Sequence, residues 1–282
     1  MKRTYNAIYA DNKHIYLVAN NRVDIYDKNN VRRRIKSINI SNPSYIVSDC
    51  EVDVIAIVNT ESKVSLYNFK LKHIVDFKLL GESFIYLYDK DNKKLITSTI
   101  DLEKEKSDIY VINLVNKKLF TKELEGLYSY SPYKANDDKL ILIKMMIGDV
   151  NTISIVYLDY KTLEILSLTE TQFEGGTFKL IDSLWSFDYN NGLYNFDHGK
   201  FISYKQLNVN YHFVNNVKKY NNNYYIITNE NILIYNEEFT QIRTIDNKEY
   251  DNRIVDFYLD SKTEIILRNN KTEVNFGDSR FL

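Results

Sequence analysis

The side chains that could perform chemistry are few and widely separated along the chain. The four histidines are His14, His73, His198 and His212. None of them shows the His-x-His or His-Glu-x-x-His spacing that brings two imidazoles to one zinc ion. The chain also has no glycine-rich loop of the kind that cradles a phosphate. The sequence therefore predicts neither a metal site nor a bound cofactor.

Nucleophilic catalysis has no clear motif either. Cys50 is the only cysteine, and because no histidine stands beside it, buried packing is favoured over a reactive thiolate. Asp197, His198 and Gly199 include two members of a catalytic triad, but they fall in a predicted turn, where such residues are common. No Gly-x-Ser-x-Gly motif is present. We predict no catalytic residues, and the chain is interpreted as a non-enzyme, with an enzyme kept as the alternative.

Charge and hydropathy exclude several classes of partner. The 37 basic and 38 acidic residues leave a net charge of −1, so no overall field draws the chain to nucleic acid or to an anionic membrane. No apolar run approaches the roughly 18 residues of a membrane helix, and the apolar segment after Lys2 and Arg3 is too short for a signal peptide. We therefore expect a cytoplasmic protein that is monomeric by itself and binds neither nucleic acid nor membrane.

The elements that must position any site are short strands joined by tight turns. Residues 13–27 contain two runs rich in β-branched and aromatic residues on either side of Asn20 and Asn21. Asn tolerates a positive φ, so this pattern predicts a β-hairpin. A similar sequence pattern occurs near the other end of the chain, where residues 260–274 align with residues 11–25 without a gap. The chain is therefore built from repeats.

Seven copies of one sequence pattern divide the chain into units. The pattern is an apolar, alternating strand that ends in an aromatic residue and then Asp or Asn; the third and fourth copies match it more loosely, and the last ends in Phe276-Gly277. The copies close at Asp27, Asn68, Asn113, Asp159, Asp197, Asn236 and Gly277. Spacings of 38 to 46 residues with four strands per unit are typical of a β-propeller. The sequence predicts an all-β, seven-bladed propeller of four-stranded antiparallel blades, as one domain over residues 1–282, with a short or incomplete last blade.

The repeat resembles that of the WD-repeat propellers. Tyr-Asp or Tyr-Asn stands where that family has Trp-Asp at the end of the third strand, as in Tyr26-Asp27 and Tyr67-Asn68. The period extends the resemblance over most of the chain. No unit has the Gly-His pair of the family, and the single tryptophan, Trp185, falls on a predicted second strand. The resemblance implies the strand layout of a WD-repeat propeller without its structural His–Asp network.

Loop length indicates which face of such a propeller would bind a partner. The connections from second to third strand, and from fourth strand to the next blade, open on one face, and they include residues 101–107, 169–176, 207–211 and 247–253. Insertions concentrate where binding occurs, and tyrosine often anchors interfaces. The predicted partner-binding residues in or near these loops are Tyr128, Tyr130, Tyr133, Phe173, Tyr211, Tyr250 and Arg253.

The favoured function is a binding scaffold that presents this face to a protein or peptide. Two alternatives stay open at this stage. The first is a propeller enzyme of the lactonase or lyase type, whose site would assemble at the mouth of the central channel from separate blades and leave no local motif. The second is a module that binds a glycan or another small ligand.

Overall fold

The structure is a computed structural model, and it describes residues 5–81, 85–124, 126–136, 138–146, 153–209, 214–247, 253–260, 263–269 and 272–276. Every regular element in these ranges is a β-strand. This agrees with a composition rich in isoleucine, valine and tyrosine, residues that pack well on a pleated surface. No helix within these ranges is long and apolar enough to cross a membrane.

The first three sheets each contain four consecutive strands. The first blade consists of β1 (Ala7–Ala10), β2 (His14–Ala19), β3 (Arg22–Asp27) and β4 (Asn30–Asn39). The second consists of β5 (Pro43–Asp49), β6 (Val54–Asn59), β7 (Lys63–Tyr67) and β8 (His73–Lys78). The third consists of β9 (Tyr86–Asp89), β10 (Lys94–Asp101), β11 (Lys106–Asn113) and β12 (Lys118–Leu124).

The remaining sheets follow in the same manner. The fourth blade consists of β13 (Tyr128–Ala135), β14 (Lys139–Met146), β15 (Ile153–Asp159) and β16 (Ile165–Glu170). The fifth consists of β17 (Phe178–Leu180), β18 (Ser186–Asp188), β19 (Gly192–Asn195) and β20 (Lys200–Ser203). The sixth consists of β21 (Val214–Tyr220), β22 (Asn223–Thr228), β23 (Asn231–Tyr235) and β24 (Gln241–Asp246). The last sheet consists of β25 (Ile254–Leu259), β26 (Thr263–Arg268) and β27 (Thr272–Phe276).

The chain is an all-β propeller of four-stranded antiparallel blades, as predicted. Within each sheet the strands lie side by side in chain order, so every connection inside a blade is a hairpin. The described residues form six four-stranded blades, whereas the prediction was seven blades with a short or incomplete last one. Six sheets have four strands, and the last sheet has three in the part of the chain that the structure describes. Residues 277–282, which follow this sheet, lie outside the described residues.

The chain divides into two compact units, Met1–Ser44 with Ile202–Leu282, and Tyr45–Phe201. In the second unit, apolar clusters fill the interfaces between the second and third, third and fourth, and fourth and fifth blades. In the first unit, the last sheet packs against the first blade on one side and the sixth blade on the other. The core therefore lies between the faces of successive sheets.

A buried polar cluster ties three inner strands of the first unit together. Asp256 on β25 accepts the backbone N–H of Ile8 on β1 at 2.9 Å and forms an ion pair of 2.7 Å with Lys218 on β21. The Lys218 ammonium also donates to the carbonyl of Ile8 at 3.2 Å. Among the described strands no ladder joins separate sheets, so these side-chain bonds satisfy backbone groups at the point where the first and last sheets meet.

The recurrence of a polar residue at the end of most repeats has a structural explanation. In six blades an Asp or Asn after the third strand accepts a backbone N–H two to four residues further on, and these bonds measure 2.7–3.0 Å. Such side chains cap turns by replacing a backbone acceptor. In the fifth blade the capping residue is Asn195 rather than Asp197, so the closing position predicted there is two residues too late.

Two local expectations were wrong. Cys50 is exposed, because it lies in a surface turn that Asp49 caps by accepting the N–H of Glu51 at 2.8 Å. The charged segment 101–107 is a longer hairpin rather than an inserted loop: β10 continues to Asp101, and β11 starts at Lys106. Asp101 caps the turn by accepting the N–H groups of Glu103 and Lys104, each at 3.2 Å.

Candidate binding surface on the fourth blade

Four of the six connections that lead from the outer strand of one blade to the inner strand of the next are long, at residues 79–85, 171–177, 204–213 and 247–253. The other two, at residues 40–42 and 125–127, have three residues each. Hairpins between second and third strands are often tight, as at residues 20–21 and 229–230. The longer loops predicted from the sequence are therefore mainly the outer-to-inner connections and not the hairpins between second and third strands. Each of these connections has to cross from one sheet to the next, whereas a hairpin joins neighbouring strands.

At this end of the fourth blade, a tyrosine and a lysine form a close pair. Tyr128 begins β13, and Lys144 lies near the end of β14, where it is paired with Tyr130 across the ladder. The Lys144 ammonium lies 3.7 Å from the centroid of the Tyr128 ring. Side chains two apart on a strand share a face, so Tyr128, Tyr130 and Lys144 all point towards the third blade, whose apolar cluster contains Tyr130.

Tyr128 is held in place by the connection that precedes it. Gly126 has a φ of +78°, and a Cβ added there would lie 2.6 Å from Cε2 of Tyr128, so this position requires glycine. Ser107 of the third blade fixes the backbone: its hydroxyl donates to the carbonyl of Tyr128 at 2.8 Å and accepts the Tyr128 N–H at 3.3 Å. The backbone that carries the ring is thus fixed at both its carbonyl and its N–H.

The surroundings of the Lys144 ammonium affect its charge. Burial lowers the pKa of the Lys144 ammonium. Among the described residues, no Asp or Glu carboxylate lies within ion-pair distance of it, and its neighbour is the face of the Tyr128 ring. The face of an aromatic ring attracts a cation, but it does not accept the three N–H bonds that an ammonium can donate. The pair therefore offers a partly desolvated positive charge beside a fixed aromatic ring.

The two other tyrosines predicted in this region are largely buried. Tyr130 is 2% exposed and lies 6.2 Å, centroid to centroid, from Tyr128. Tyr133 is 4% exposed, and its hydroxyl donates to the carbonyl of Leu184 at 3.1 Å. Tyr130 packs edge-on against the ring of Tyr128, whereas Tyr133 packs between the fourth and fifth blades.

Phe173 lies in the long connection between the fourth and fifth blades. Its ring is edge-on to Tyr194 at 5.8 Å and to Phe196 at 6.0 Å. The following segment is fixed because the N–H of Gly176 donates to the buried Asp188 carboxylate at 2.7 Å. Phe173 is half-buried, so it joins the aromatic cluster of the fifth blade and retains some accessible surface.

The other predicted residues lie in the first unit or outside the described ranges. Arg253 is exposed and directly precedes β25. Tyr211 and Tyr250 lie outside the residues that the structure describes. Among the described residues, no group of three or more His, Cys, Asp or Glu side chains is placed to hold a metal ion.

Sequence reasoning missed Lys144, Gly126 and Ser107. A signal for Lys144 was present in the alternation of β14, where Leu140 and Leu142 occupy the same face and are fully buried. A lysine at the next position of that face interrupts an apolar row. Met146 follows on the same face and is 48% exposed, which gives the surface an apolar rim.

Comparison with known proteins supports the fold. No protein-family model matches the chain, and no curated protein does. Among solved structures, the chain is similar to the crystal structure of the computationally designed Ika8 protein, with a TM-score of 0.63 and 10% sequence identity. The match covers 98% of this chain and 97% of that one. At this level of identity the similarity establishes a shared fold and nothing about function.

Proposed function

We propose that this protein is a non-enzymatic scaffold that binds a protein or peptide through the face carrying the outer-to-inner connections. The observation that supports this most is the Tyr128–Lys144 pair, in which an accessible aromatic ring and an ammonium are held together at the rim of that face. Tyrosine provides a large, rigid contact area and is enriched among residues that dominate binding energy.

The rigidity of Tyr128 favours binding. Gly126, Ser107 and Tyr130 constrain its backbone and ring before any partner arrives. A side chain that is already ordered loses little rotamer freedom on association, so more of the contact energy contributes to affinity. A loop-borne tyrosine without these supports would contribute less.

Three finer features belong to the same proposal. The six four-stranded blades follow a WD-repeat-like layout, and the sheet β25–β27 packs between the sixth blade and the first. The two compact units work as one domain over residues 1–282. The protein acts in the cytoplasm as a monomer, binds neither nucleic acid nor membrane, and uses no metal or cofactor.

The test uses a random linear heptapeptide library displayed on phage and selected on the immobilised full chain. We expect recovered peptides to lose at least about tenfold in affinity for Tyr128→Ala, which corresponds to roughly 1.4 kcal/mol. Leu184→Ala is the matched control, since Leu184 is 41% exposed in a turn at the opposite end of the fifth blade. Failure to recover any peptide, or equal loss for both variants, would contradict the proposal.

A further inference from the structure

We infer that the Tyr128–Lys144 surface recognises an acidic side chain, Asp or Glu, flanked by an apolar residue of the partner peptide. This inference rests on the proposed function and names the chemistry of its ligand. Lys144 would bind the acidic group, and Tyr128 and Met146 would contact the apolar neighbour.

The acidic group follows from what surrounds the ammonium. Lys144 projects from the second strand of the blade, and its cross-strand neighbours at the same level are Tyr130 and Ser154. Neither residue carries a charge. A cation moved out of water costs free energy unless an anion or several acceptors compensate. A partner carboxylate would supply a charge-assisted hydrogen bond, the strong type between ionised groups.

The direction of approach is also restricted. The Lys144 ammonium lies 3.7 Å from the centroid of the Tyr128 ring, and the buried Tyr130 is its cross-strand neighbour. Met146 is two residues further on the same face of β14, opposite Tyr128, and its side chain is about half exposed. A peptide that places a carboxylate at Lys144 therefore has Tyr128 and Met146 beside it.

The apolar preference follows from those two side chains. Methionine is flexible and adapts to different apolar partners, whereas a fixed tyrosine ring provides a flat surface. Together they favour a Leu, Ile, Val, Phe or Met beside the acidic residue. A basic peptide would instead place like charges together at Lys144, which is costly at a partly desolvated position.

The experiment compares two bead-bound peptide libraries, acetyl-XXX-Glu-XXX-amide and acetyl-XXX-Gln-XXX-amide. The varied positions exclude Asp, Glu, Lys, Arg, His and Cys, so the fixed residue carries the only charge. Fluorescently labelled full-length protein is applied, and the retained beads are counted and sequenced. We expect the Glu library to be retained roughly tenfold more than the Gln library, as one charge-assisted hydrogen bond allows, with apolar residues enriched next to Glu.

Two variants assign the preference to this site. Lys144→Met removes the charge while keeping the length of the side chain, and it should retain the two libraries equally. Lys139→Met is the control, because Lys139 is exposed at the other end of the same strand. It should keep the tenfold preference. A preference for Glu that survives in Lys144→Met would overturn the inference.

The remaining outcomes separate this inference from the proposed function. If wild-type protein retains both libraries equally, and Tyr128→Ala loses both, the surface binds peptides without recognising an acid, and only the inference fails. If wild-type protein retains neither library, the inference and the proposed function fail together. Circular dichroism of each variant establishes that the fold is intact.

Discussion

Two lysine–tyrosine pairs lie at opposite ends of the interface between the third and fourth blades. They differ in whether a described carboxylate accompanies the pair. At one end, the Lys94 ammonium lies 3.9 Å from the centroid of the Tyr160 ring. The Tyr160 hydroxyl donates to the buried Asp89 carboxylate at 2.5 Å, and Asp89 is the cross-strand neighbour of Lys94. At the other end, Lys144 and Tyr128 repeat the contact without a described carboxylate.

The difference separates a structural contact from a binding contact. The pair at Asp89 is anchored, because the Tyr160 ring that faces the Lys94 ammonium also donates its hydroxyl to the Asp89 carboxylate. The pair at Tyr128 has no carboxylate partner among the described residues, and in the proposed complex an acidic group of a bound peptide takes that place. Substitutions at the Lys94–Tyr160 pair should therefore lower stability, whereas substitutions at the Lys144–Tyr128 pair should weaken peptide binding.

The largest effect is expected for Asp89→Ala. This change leaves the hydroxyl of Tyr160, which is 4% exposed, without its acceptor, and removes the cap that accepts the Asn92 N–H at 3.2 Å. We expect the free energy of unfolding to fall by about 2–3 kcal/mol, since a buried polar group left unsatisfied is costly. Urea denaturation measures the change. Asp138→Ala, at an exposed turn of the fourth blade, should change it by less than about 0.5 kcal/mol.

The next effect concerns the backbone that positions Tyr128. Gly126→Ala places a Cβ at a φ of +78° and against the tyrosine ring, so we expect a loss of about 2 kcal/mol together with weaker peptide binding. Gly199→Ala is the matched control: its φ is +59°, but a Cβ there would have no atom within 4 Å. That variant should lose only about 1 kcal/mol and bind peptides normally. Equal losses of stability and binding in the two variants would mean that Gly126 does not position the ring.

A smaller effect distinguishes the two lysines. Lys144→Met should change the free energy of unfolding by no more than about 1 kcal/mol, because the lost cation–ring attraction is offset by removal of a partly buried charge. Lys94→Met should destabilise the protein by about 0.5–1 kcal/mol, because it removes an opposite charge directly across the strand from Asp89. Thermal and urea unfolding of the two variants test this, and a larger loss for Lys144→Met would contradict the comparison.

The smallest effect is a dependence on pH. Because burial lowers the pKa of Lys144 from its ordinary value of 10.5, the unfolded chain binds this proton more tightly than the folded chain does. The resulting destabilisation is present in full below the folded-state pKa and disappears as pH rises towards 10.5. The stability of wild-type protein relative to Lys144→Met should therefore increase from pH 7 to pH 10. Urea unfolding at each pH measures this, and a constant or falling difference would exclude the burial effect.

The repeat and the strand layout were determined by the sequence itself. An Asp or Asn after the third strand caps a turn through bonds to residues two to four positions away, so its signal is local and recurs at a fixed period. Alternation of apolar residues likewise reports which face of each strand is buried. These features predicted an antiparallel propeller, and the errors at Cys50 and Asp197 arose at turn boundaries, where local patterns shift by a residue or two.

The candidate site was decided by tertiary structure. Tyr128 was selected from the sequence only as one aromatic residue among many near a long loop. The contact with Lys144 depends on strand register and on the facing blade, and Ser107 is 21 residues from Tyr128 along the chain. Whether a lysine has a carboxylate opposite it in the strand register, as Lys94 has in Asp89, or an uncharged tyrosine, as Lys144 has in Tyr130, is set by which strands are paired. Long-range packing controls that choice, because the residues involved carry no motif that distinguishes the two lysines.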